Sequence, residues 1–113
     1  MKLNTNQLQQ GDVLLHRVTD NTDISKGKKL PFRFGRRLVL AEGEATGHHH
    51  SIAVEEDEAE LIQLGEKLLL NLKESKVLEH QEHGPITVDK GLWEVGQVVE
   101  KDWLTGMVDK VID

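Results

Sequence analysis

Two histidine groups are the residues of this chain best suited to chemistry. GEATGHHHSI, residues 43–52, holds His48, His49 and His50, and HQEH, residues 80–83, holds His80 and His83 around Glu82. In an extended strand, side chains at i and i+2 share a face. His48 and His50 are therefore expected to point the same way, with His49 facing outward on the other side. Two imidazoles so spaced, roughly 6–7 Å apart at Cα, can close on one ion. His80 and Glu82 share a face in the same way. Gly84-Pro85 follows at once, and a bend there would bring His83 round to join them.

Neutral imidazoles with a carboxylate suit zinc first, nickel or iron as alternatives, and magnesium or calcium poorly. The expected centre is a divalent transition metal bound by His48, His50, His80 and His83. Glu82 is then the candidate catalytic general base toward a metal-activated water. Glu44, Gln81 and Gln97 are candidates to hold the rings in place. His16, alone in GDVLLHRV, reads as structural. The competing reading is two exposed polar turns with no ligand role. A purification tag is excluded, because the run is internal and short.

Composition narrows the alternatives. The chain has no Cys, so disulfides, thiolate metal sites and cysteine nucleophiles are excluded. It carries no G-x-S-x-G elbow, phosphate loop or H-E-x-x-H helix. The net charge of -6 disfavours general nucleic-acid binding. The charge is uneven, however. Residues 26–37, KGKKLPFRFGRR, hold six of the fourteen Lys and Arg and no acid, whereas residues 55–60 hold five acids. Both stretches read as solvated loops, and the first also as an anion-binding loop with Phe32 and Phe34 between its charges. No segment is apolar enough for a signal peptide or a membrane span, so a cytoplasmic protein without membrane attachment is expected.

The elements that must position the histidines read as strands. At 113 residues a single domain over 1–113 is expected. Residues 12–18 and 38–45 are rich in Val and Leu. Residues 59–83 suit strands broken at Gly65-Glu66 and Glu74-Ser75-Lys76 better than one long helix. PITV, a turn at Asp89-Lys90-Gly91, LWEVGQVV and a closing MVDKVI continue the rhythm. Leu3–Gln10 is expected to form one or two helical turns. The fold class is therefore all-β, a small, mainly antiparallel barrel or sandwich. Its open edges make a homodimer an expectation.

Two resemblances follow from these motifs. Gly43 before His48 and His50, with Glu55 or Glu56 after, resembles the first metal motif of cupins with one residue fewer. It implies at most a small barrel with a metal in its mouth. GDVLL at 11–15, LAEGEATGHHH at 40–50, HQEHGPI at 80–86 and GLWEVGQ at 91–97 are similar to a family of small uncharacterised bacterial and phage proteins. That likeness implies histidines at 48, 50, 80 and 83 with an acid at 82, and no established activity. Three functions stay open. One is a metal-dependent enzyme acting on a small or phosphorylated molecule. Another is a non-catalytic binding or assembly module with a structural or ligand-sensing histidine site. The last is a nucleic-acid accessory protein using residues 26–37.

Overall fold

The structure, a computed structural model, describes residues 6–19, 22–42, 47–55 and 57–97. The strands among them are β1 (Gln7–Gln10), β2 (Val13–Arg17), β3 (Lys28–Lys29), β4 (Arg37–Glu42), β5 (His49–Ala53), β6 (Ala59–Leu64), β7 (Lys67–Leu72), β8 (Lys76–Glu79), β9 (Ile86–Val88) and β10 (Gly91–Gln97). A single 3-10 turn, Ile24–Lys26, precedes β3. The strands form two open antiparallel sheets, ordered β1-β2-β10-β7-β6-β3 and β4-β5-β8-β9. The all-β expectation holds, as open sheets rather than a closed barrel. No helix among the described residues is long and apolar enough to cross a membrane.

One local expectation fails. Gln7–Gln10 is a strand, not a helical turn, and pairs with β2 from Gln7↔His16 to Gln10↔Val13. The reason lies in the next two residues. Gly11 sits at φ +59 in a two-residue turn with Asp12, the pattern of a type II′ hairpin. That turn folds 7–10 back on the Val- and Leu-rich β2, and the ladder outweighs a weak helical propensity. Gly65-Glu66 makes the same kind of turn between β6 and β7, with Gly65 at φ +64. Residues 73–75 carry the chain from the large sheet to the small one, and Lys76 already belongs to β8. The MVDKVI strand expectation lies outside the described residues.

The core is built from alternate positions of both sheets. Val13, Leu15, Leu61, Leu70, Leu72 and Trp93 of the large sheet face Leu38, Leu40, Ile52, Leu78 and Val88 of the small one. Trp93 keeps its indole N–H satisfied by donating to Asp89 O at 2.9 Å, and Arg17 lies 4.3 Å over its ring. Leu69 and Ile62 are buried on the other face of the same strands. A strand covered on both sides loses its polar alternation, which is why KLLLNL shows a continuous Leu run.

Leu70 is fully buried at the centre of this core, whereas Val77 is 44% exposed. Leu70→Ala should cost about 2–5 kcal/mol through lost transfer energy and an unfilled cavity. Val77→Ala should stay within about 0.5 kcal/mol. Urea unfolding of the two variants measures the difference; equal losses would contradict this placement of the core.

Candidate metal centre

The histidine groups meet at one end of the two sheets. Ser51↔Glu79 and Ile52↔Leu78 register β5 on β8, so His50 falls opposite His80, one step beyond the ladder. Their ring centroids are 4.3 Å apart. The bend over 81–83 swings His83 back, 4.6 Å from His80 and 5.8 Å from His50. His48, just before β5, lies 5.6 Å from His80. All four expected ligands are thus neighbours. Glu82 is at the exposed rim, with Oε2 3.8 Å from His48 Nε2.

A β-bulge makes room for His50. The β4–β5 register shifts between Val39 and Ala41, which places Ala41 rather than Leu40 opposite His50. Bulges characteristically re-aim side chains beside functional sites. Here the small neighbour admits an imidazole among aliphatic residues, where His50 is 2% exposed.

Two important residues, Gln10 and Asp12, were not singled out by the sequence patterns. Gln10 is buried, and its Nε2 donates to Leu78 O at 2.8 Å and Gly84 O at 2.9 Å. The opposite end of that amide, Oε1, is therefore an acceptor, and it lies 2.8 Å from His50 Nδ1. His50 must carry its proton on Nδ1. In the neutral ring Nε2 then presents a lone pair, yet Oδ1 of Asp12 stands 3.2 Å away. Two acceptors face each other, an arrangement that needs a cation between them or a proton on the ring. Burial pushes the His50 pKa down, and the neighbouring His80 pushes it further, against the pull of Asp12. Gln97 Nε2 donates to Asp12 Oδ2 at 2.9 Å and is the largest cause holding that carboxyl below its usual range. Gln97 thus reaches the histidine cluster through Asp12.

The remaining rings differ in readiness. His80 Nδ1 accepts the Glu82 backbone N–H at 3.0 Å, so its Nδ1 lone pair is engaged and its neutral ring carries the proton on Nε2. To ligate, His80 must release that bond or exchange its tautomer. Burial is the main cause of its lowered pKa. His83 is packed over Gly11, where a Cβ would come within 2.5 Å of its Nε2. Among the described residues, no three His, Asp or Glu side chains already surround one point as metal ligands would.

His49 does face away from His50, but it is buried rather than outward in solvent. Phe34 stacks on its ring at 4.4 Å and 7°. Its Nδ1 donates to Ser51 Oγ at 2.9 Å, and its Nε2 accepts from Gln81 Nε2 at 3.2 Å. Gln81 Oε1 also takes the His49 backbone N–H, so Gln81 supports His49 and not the expected ligands. His16 is exposed beside Gln7, away from the cluster. Glu44 lies outside the described residues. The basic stretch is largely committed within the molecule. Lys29 pairs with Glu60, Arg33 with Glu42 and Arg37 with Glu79, while Arg36 bonds the Val54 and Glu55 carbonyls.

Gly11 carries two constraints at once, its positive φ and the space that His83 fills. Gly11→Ala should destabilise the protein by about 1–2 kcal/mol from the left-handed conformation alone, and it should expel the His83 ring. Thermal unfolding reads the first effect, and the His83 ring resonances in NMR read the second. Unchanged His83 resonances would contradict this packing.

No curated protein and no solved structure matches the chain. A family model described as a domain of unknown function, DUF8820, matches residues 9–97. The match runs from the Gln10–Asp12 turn to Gln97 and includes all four clustered histidines. The chain therefore belongs to the uncharacterised DUF8820 family.

Proposed function

We propose that this protein binds a divalent transition metal, zinc first among the candidates, between His50 Nε2 and Asp12. One or two of His83, His48 and His80 complete the set, His80 only once it releases the Glu82 N–H, and a further position is left to water. One observation carries the reading: the His50 lone pair and the Asp12 carboxylate oppose each other at 3.2 Å, with the other ring nitrogen tied to Gln10. A histidine whose far N–H donates to an amide oxygen is oriented and made more basic as a ligand. Burial disfavours the alternative cation, a proton on His50. The donor types, imidazoles with one carboxylate, fit zinc, nickel or iron. The likeness to cupins adds only the expectation of a metal at the end of a β fold.

The site supports an enzyme acting on a small molecule better than a closed structural centre. His83 and Glu82 are exposed, so solvent and substrate reach the rim while His50 stays dry. When bound, a metal of this kind polarises carbonyl or phosphoryl groups and lowers the pKa of water. Glu82, beside His48 at the rim, is placed to take up the proton released there. Gln10 keeps His50 in one tautomer, and Gln97 keeps Asp12 ionised and aimed. A nucleic-acid role is less favoured, because the net charge of -6 opposes a phosphate backbone.

Calorimetric titration of zinc into protein purified without a metal-affinity step tests the proposal. Zinc should bind the parent at one-to-one stoichiometry. Gln10→Ala should weaken it by roughly 10–100-fold, the usual cost of losing a supporting residue, and His50→Ala by more. His16→Ala should bind as the parent does. Protons compete for imidazoles, whose ordinary pKa is ~6.5. Because burial lowers the His50 and His80 values, affinity should hold down to about pH 6.5 and fall steeply below it. A parent that binds no zinc, nickel or iron, or a His50→Ala variant that binds as tightly, would refute the site.

A further inference from the structure

We propose that a cavity on the outer face of the small sheet binds the carboxylate of a small organic acid through Arg37. The cavity measures about 340 Å³ and is bordered by Arg37, His49, Ser51, Glu79, His80 and Gln81. That lies at the low end of the roughly 300–1,000 Å³ typical of small-molecule sites. Arg37 is the last cation of the basic run, and it differs from the others in how it is held. Its Nε donates to the buried Ser51 Oγ at 2.7 Å. Its Nη2 donates to the Ser51 carbonyl at 3.5 Å, which fixes the guanidinium against the sheet at the border of the cavity. His49, stacked on Phe34 and bonded to Ser51 and Gln81, forms a rigid wall beside it.

The acid on Arg37 is Glu79, at 2.5 Å, with its side chain half exposed. A solvated carboxylate on a fixed guanidinium is easily exchanged for another, since surface pairs of this kind contribute little. The exchange buries no new charge, and the planar fork of Arg37 matches any carboxylate. Glu79 thus marks where a ligand's acid group would sit. His80 borders this cavity and also touches His48, His50 and His83. An acid anchored on Arg37 would extend its other end toward the histidine cluster. Its role as substrate rests on the metal reading above, but its binding does not.

The test uses the full chain without metal, titrated with succinate at constant ionic strength and followed by backbone amide NMR. Saturable shifts in the millimolar range are expected, centred on Arg37, His49, Ser51 and Gln81. Glu79→Gln removes the internal competitor and should tighten binding about three- to tenfold. Arg37→Gln should weaken it at least about tenfold, the loss of a charge-assisted bond. Glu79 is exposed enough for its variant to remain folded, so the test survives if Arg37→Gln does not fold. No saturable shift in the parent or in Glu79→Gln, equal affinity in those two, or tighter binding of inorganic phosphate than of succinate would overturn the proposal. Zinc is absent throughout, so failure here leaves metal binding untouched. Failure of metal binding leaves the succinate result readable.

Discussion

The buried amide of Gln10 is the interaction on which the rest of the centre depends. It ends β1 in the large sheet, yet its donors go to Leu78 O and Gly84 O at one end of the small one. Leaving such buried groups unpaired costs about 1–3 kcal/mol each, so the two sheets are locked in one relative position at this end. The same amide has one acceptor, and His50 takes it. A single side chain therefore joins the sheets, fixes the bend after β8 and selects the His50 tautomer. From that choice follows the conflict with Asp12, which either a proton on the ring or a bound cation would resolve.

The small sheet then serves two surfaces. On its inner side, His50 continues the core row of Ile52 and meets the β1–β2 turn. On its outer side, His49 and Ser51 are sealed by Phe34 and Arg37. Phe34 holds a positive φ of 49 to reach His49, a conformation uncommon outside glycine. Strain of this kind is tolerated where the surrounding contacts over-determine it. Here the ring stack and Arg33 at 5.1 Å over Phe34 supply those contacts. His80 lies at the strand end where the two sides communicate.

Much of this was legible in the sequence, and the omissions have physical causes. Strand type and turn positions were readable because Gly65-Glu66 and the Val- and Leu-rich runs are local signals. The pairing of HHH with HQEH was readable because both carry the same donor type beside glycine. Gln10 and Asp12 were not singled out, since an amide and a carboxylate next to a turn are ordinary surface residues until the sheets close over them. Gly11 after a polar stretch signals locally only that 7–10 ends there, and the hairpin it makes is visible only once 7–10 pairs with β2. The burial of His49 was also hidden, because only the distant Phe34 supplies its cover.

The central claim is that neutral His50 Nε2 and Asp12 oppose each other in the metal-free protein and that the proposed cation would join them, and one substitution addresses it directly. In Asp12→Asn the amide oxygen can still accept from Gln97, while the new N–H can donate to the His50 lone pair. Thermal unfolding of parent and variant at about pH 7.5, where an imidazole of ordinary pKa is neutral, with and without zinc, compares the two states. The account predicts a metal-free variant more stable than the metal-free parent, and a zinc-induced rise in Tm for the parent that the variant largely lacks. A metal-free Asp12→Asn protein less stable than its parent would show a proton already joining His50 to Asp12, and that result would contradict the account.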